Sequence, residues 1–133
     1  MFLRALAKPQ KGLFIELAIK AAEANDIVEQ EEKEMIKEFA DEMEIAPVYS
    51  SDKDLSQILK ELVKISKKPQ LNEMMFEILA MLTADGEFDD KERAFADEVS
   101  KAFKINKKKL EKMESKLNEY TMLYDEICEL LEG

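Results

Sequence analysis

The sequence predicts an all-α single domain, a helical bundle of six to eight helices with an internal duplication of a helical hairpin. Three observations predict it. Only 3 Gly and 3 Pro interrupt 133 residues, too few for an all-β chain that must turn about every ten residues. Apolar residues make up 46% of the chain and recur at helical spacing. A shift of 60 lays residues 12–45 over 72–105 without a gap.

The elements follow in order. Pro9 suits the first turn of a helix running to about Ala24, whose face is Leu13, Leu17, Ala21 and Ala24, with Phe14 and Ala18 beside it. A second helix, about Glu29 to Met43, opens on Glu29, Glu31 and Glu32, which favour the positive end of its dipole. It presents Met35, Ile36, Phe39, Ala40 and Met43. Pro47 ends that stretch. Ser50, Ser51, Asp52 and Asp54 offer N-caps to a third helix with the face Leu55, Ile58, Leu59, Leu62 and Ile65. Pro69 starts a fourth, to about Ala84, which Asp85-Gly86 punctuates. A fifth runs from about Asp90 to Phe103, and Asn106 caps a final helical segment over 106–132, as one helix or two in line. There, Leu110, Met113, Leu117, Tyr120, Tyr124, Ile127 and Leu131 are spaced alternately 3 and 4. That heptad would allow a dimerising coiled coil, but packing on its own domain is the plainer expectation, so a monomer is favoured over a homodimer.

The duplication rests on register and punctuation. Each window has 17 apolar positions of 34, and 13 coincide, against about 8.5 by chance for unrelated patterns. Identities are few: Ala24/Ala84, Glu32/Glu92, Glu38/Glu98 and Ile45/Ile105. Both windows share one order: helix, acidic turn, buried aliphatic or aromatic residue, acidic helix start. The repeats span about 12–45 and 72–105.

Charge and composition remove whole classes of activity. Lys+Arg is 20 against Asp+Glu 30, a net charge of −10, so bulk nucleic acid and anionic membrane surfaces repel the chain. No nucleic-acid partner is expected, and no aromatic residues are interleaved with Lys107-Lys108-Lys109 to stack on bases. No apolar run approaches a membrane span, which leaves only peripheral association open. The first eight residues are too short and too charged for a signal peptide, and a cytoplasmic location is expected. With no His and 1 Cys there is no disulfide framework, no thiolate zinc cluster and no base for the serines, so no enzyme and no required cofactor are expected. Charge is also segregated: residues 23–44 hold 10 acids and 2 bases, 85–98 hold 7 acids and 2 bases, and 101–116 hold 7 Lys and 2 Glu. An acidic face of this kind would attract cations or a basic protein segment.

The segment Ala84-Asp85-Gly86-Glu87-Phe88-Asp89-Asp90-Lys91-Glu92, preceded by Met75-Phe76-Glu77-Ile78-Leu79-Ala80-Met81-Leu82, resembles the signature of the tellurite-resistance TerB-like family. That signature is an apolar helix, Ala-Asp-Gly, and an acidic helix start with a Glu six residues after the Gly, here Glu92. The resemblance covers most of the chain, since the family's domain carries two such hairpins in an all-helical bundle. In the first copy Asn25-Asp26 stands in place of Asp-Gly. The resemblance implies a role in tellurite or other chemical stress, divalent metal binding by acidic residues, and use as a module beside other domains.

Residue chemistry gives two readings of the second turn. Aligned on a calcium loop with Gly86 at its tight turn, Asp85, Asp89 and Glu92 fall at ligand positions, but Met81 and Thr83 occupy the first and third. Asp85, Asp89, Asp90 and Glu92 are therefore candidate ligands for weak Ca²⁺ or Mg²⁺ binding, with Asp26, Glu29 and Glu32 a poorer set in the first copy. Alternatively, Asp89-x-x-Glu92 is a capping box and binds nothing. The reading that follows is a non-enzymatic TerB-like binding or scaffolding module in stress response, with a protein partner on its acidic face. A carboxylate-based metal sensor or metal-dependent enzyme, or a helical dimerisation adaptor, are the alternatives.

Overall fold

The computed structural model describes residues 3–24, 29–83 and 88–133, Glu29 by its backbone only. The described residues form an all-α bundle: a short 3₁₀ turn at Leu3–Ala5, then α1 (Lys8–Ala24), α2 (Glu29–Met43), α3 (Leu55–Ile65), α4 (Lys68–Leu82), α5 (Asp90–Ala102) and α6 (Lys107–Glu132). Among the described residues there is no strand.

Two hairpins, α1–α2 and α4–α5, enclose the core, and α3 packs against α1 and α5. Phe14, Leu17, Ala18 and Ala21 of α1 meet Ile36, Ala40 and Met43 of α2, with Phe39 edge-on to Phe14 at 5.3 Å between ring centroids. Met74, Met75, Ile78, Leu79 and Leu82 of α4 pack with Phe95, Ala96, Val99 and Phe103 from α5 and its end. Met35 and Phe39, expected in the core, are only half-buried at its edge.

Residues 60 apart in the chain make matching hydrogen bonds at both ends of the two hairpins. Gln10 and Gln70, one from each hairpin, bond to each other: Gln10 Nε2 donates to Gln70 Oε1 at 2.8 Å, and Gln70 Nε2 to Gln10 Oε1 at 3.3 Å. Each also caps its own helix, Gln10 Oε1 accepting from the Ala7 amide at 2.7 Å and Gln70 Oε1 from the Lys67 amide at 2.8 Å. At the other end of each hairpin, the amides of Ile45 and Ile105 donate to Ala40 and Ser100 carbonyls. Glu44 and Lys104 there both take a left-handed conformation, with φ of 59° and 57°. This is a helix-ending turn used twice. Lysines close both: Lys11 Nζ donates to the Met43 carbonyl at 2.8 Å, and Lys68 Nζ to those of Phe103 and Lys104 at 2.6 and 2.7 Å. Cationic donors there complement the negative end of a helix dipole.

These bonds gather the starts of α1, α4 and α6 and the ends of α2, α3 and α5 at one end of the bundle. Ser51 and Lys53 fasten the α2–α3 connection, both to Glu16 of α1, and Lys53 also to Glu61 of α3. Asp54 is the cap that α3 uses, accepting from the Gln57 amide at 2.8 Å.

The final segment is one unbroken helix of 26 residues. Asn106 caps it through the Lys109 amide at 2.8 Å. Its heptad only half packs on its own domain. Leu110 and Leu117 are buried and Met113 is half-buried against the core, but Tyr120, Tyr124, Ile127 and Leu131 are exposed. The reason is length. Arg93 on the first turn of α5 already meets Glu114 of α6 at 2.6 Å, so α6 outruns its neighbours within a turn of that contact.

Candidate functional site

The second acidic turn is partly visible. Asp89 is the N-cap of α5, its Oδ1 accepting from the Glu92 amide at 2.8 Å, while Glu92 Oε1 accepts from the Asp89 amide at 3.2 Å. This reciprocal pair is the capping box that the i, i+3 spacing allows. Glu92 is only 2% exposed, Asp90 is exposed, and Asp85 lies outside the described residues. Phe88 anchors the turn against the core and lies beneath the Arg93 guanidinium, 4.1 Å from its ring centroid. Arg93 then reaches Glu114, so this turn is tied to α6 through one arginine. In the first copy Asp26 lies outside the described residues, as does the side chain of Glu29, and Glu32 is half-buried on α2. Among the described residues no three Asp, Glu or Cys side chains converge as metal ligands would. At Asp89 and Glu92 a cation would have to compete with the bonds that start α5.

Charge is polarised along the bundle. The end where α1, α4 and α6 begin carries Lys67, Lys68, Lys104 and Lys107-Lys108-Lys109. Desolvation beneath this cluster, together with the charges of Lys109 and Lys104, pulls the Lys68 ammonium below the ordinary lysine pKa. The starts of α2 and α5, with Glu31, Glu32 and Glu34 on one and Asp89 and Asp90 on the other, lie away from that end.

The outer part of α6, residues 118–132, is the most conspicuous surface. It runs on by about 22 Å at 1.5 Å per residue. Tyr120, Leu123, Tyr124, Ile127, Leu130 and Leu131 are between 45% and 82% exposed. At 100° per residue they fall on one arc of roughly 120°. Glu119 and Glu126 border that arc on one side, while Asp125, Glu129 and Glu132 lie opposite it with the exposed Met122 among them, and the segment holds no Lys or Arg. Tyr120 and Tyr124 stack on one another at 6.4 Å, and Cys128 is half-buried beside them. Large contiguous apolar surface on a protein commonly coincides with an interaction site. The heptad spacing signalled the seam; its exposure was invisible in the sequence, because 3–4 spacing reads alike whether or not the protein's own core covers it.

A second apolar surface lies between α3 and α5, a groove of about 410 Å³. Leu59 and Val63 of α3 and Ala102 of α5 line it, with Lys60, Lys101 and Glu98 also on its walls. The sequence reading passed over it, since no motif marks it.

Comparison with known protein families, characterised proteins and solved structures yields no match for this chain. No described helix is long and apolar enough to cross a membrane.

Proposed function

We propose that this protein is a non-enzymatic binding or scaffolding module, TerB-like and serving in a stress response, whose docking element is the outer half of α6. One observation carries the docking part: six large apolar side chains on one face of a helix that has run past its own domain. Burying one such side chain is worth about 1.5–3 kcal/mol, so leaving six in water is costly unless something covers them. The absence of His, which leaves the serines without an activating base, supports a role without catalysis. The TerB-like part rests on the Ala-Asp-Gly turn and on Glu92. A weak Ca²⁺ or Mg²⁺ site at Asp85, Asp89, Asp90 and Glu92 belongs to the same proposal, as does a protein partner for the acidic face.

The test is affinity capture of tagged protein from its own cells, with and without divalent ions, beside the variant Leu130→Asp/Leu131→Asp. Partners held by the wild type and lost by the variant are the expected result. Identical recovery from both, or none from either in a protein that also does not self-associate, removes the docking role of α6.

A further inference from the structure

We propose that the outer half of α6 of one copy lies in the α3–α5 groove of a second copy, reciprocally, in a closed twofold dimer. The proposal rests on the reading of α6 as the docking element.

The groove has the form that receives a helix. Ser56, Leu59, Lys60 and Val63 stand at i, i+3, i+4 and i+7 on α3, facing Lys101 and Ala102 on α5. Both helices end at the same end of the bundle, so the groove runs lengthwise between neighbours. Such a trough between two ridged cylinders is filled by the ridge of a third. Val63 is exposed there, while Leu59 forms a buried floor.

The chain cannot fill this groove with its own tail. From Asn106 to Glu132 there is no Gly or Pro, and α6 is a single helix without a break. A helix directed away from the body cannot turn back onto it. A second copy can supply the tail, and the length suits: its apolar stretch from Tyr120 to Leu131 runs about 18 Å, against about 17 Å for the 11-residue α3 and about 20 Å for the 13-residue α5 at 1.5 Å per residue.

Charge selects this arrangement over the alternative in which two tails pair with each other. The tail has 5 acids and no base, so a tail–tail pair sets like charge beside like charge. The groove offers Lys60 and Lys101 against one acid, Glu98. With the apolar arc of the tail on Leu59, Val63 and Ala102, Glu119 and Glu126 at its border come within reach of those two lysines. Six side chains leaving on the order of 100 Å² each accessible would bury roughly 600 Å² per tail. Made twice by symmetry, and counting the groove walls, this clears the ~1,200 Å² of a standard interface. Because each copy gives one tail and receives one, the assembly closes at two.

Sedimentation equilibrium and light scattering across about 5–200 µM test this, with far-UV circular dichroism confirming that every variant stays helical. Wild type is expected to move toward twice its 15.4 kDa mass as concentration rises. Leu130→Asp/Leu131→Asp in the tail and Val63→Asp in the groove should each weaken the dimer at least tenfold, and an equimolar mixture of the two should recover association through its one intact tail–groove contact. Lys60→Glu/Lys101→Glu should weaken it likewise, and adding Glu119→Lys/Glu126→Lys to the same chain should restore it. A wild type that stays monomeric to 200 µM overturns the proposal, and so does a dimer indifferent to Val63→Asp, which would mean tails pairing with tails. A monomer that still captures partners through Leu130 and Leu131 defeats only the self-association, leaving the docking role of α6 intact.

Discussion

Gln10 and Gln70 show how a single polar pair can join two hairpins. Gln10 is 2% exposed, and besides its partner glutamine it reaches Ser66 Oγ at 3.0 Å. Replacing it by Leu keeps the volume but strands the Gln70 amide and the Ala7 N–H, a loss of about 1–3 kcal/mol. Urea unfolding of Gln10→Leu should show that loss. The double variant with Gln70→Leu should lose less than the sum of the two, because they share one interaction. Lys68 gives a pH test. Its folded-state pKa lies below the ordinary lysine value, so over the interval between the two the unfolded chain holds more protons. The cost of desolvating the ammonium and of its lysine neighbours is fully present below the folded value and is relieved as pH rises through it. Melting curves between neutral pH and about pH 10.5 should therefore show wild type gaining on Lys68→Gln. A parallel fall of both would mean that Lys68 is unperturbed.

At the level of elements, α6 combines two helices' worth of behaviour in one. Leu110→Ala removes a buried side chain and should cost about 2–4 kcal/mol, whereas Leu131→Ala in dilute protein should cost under about 0.5 kcal/mol. Equal costs would show that the outer half is covered within the monomer. What could be read from the sequence follows the range of the interaction concerned. The Asp89–Glu92 box and the Asp54 and Asn106 caps are local in sequence and were legible there. The helix periods were legible too, for the same reason. The fate of Tyr120 to Leu131 depends on where α5 begins in space relative to α6, and no spacing within α6 contains that. The glutamine pair lies between these cases. Lys8-Pro9-Gln10 recurs as Lys68-Pro69-Gln70 at the same 60-residue shift, just outside the aligned windows, and matching apolar positions passes over a polar signal.

Across the whole molecule, charge is polarised end to end, with lysines crowded at one end and both acidic helix starts away from it. Salt should therefore relieve repulsion more than it weakens pairs. Raising ionic strength from about 0.01 to 0.15 M should raise the melting temperature of dilute protein by roughly 3 °C, under 1 kcal/mol for a domain this size. A fall would mean that bridges such as Arg93–Glu114 outweigh the crowding. The mutual glutamine bond has one more consequence, for folding. Gln10 and Gln70 offer each other the same groups, so a hairpin from a neighbouring chain can satisfy the joint as well as the one that follows on the same chain. Residues 46–54 carry no helix and lie between the halves, so before Ser51 and Lys53 fasten to Glu16 they can span to another chain. Refolding at high concentration therefore favours intertwined chains, and slow dilution favours the correct partner, because the native hairpin wins only through its tether.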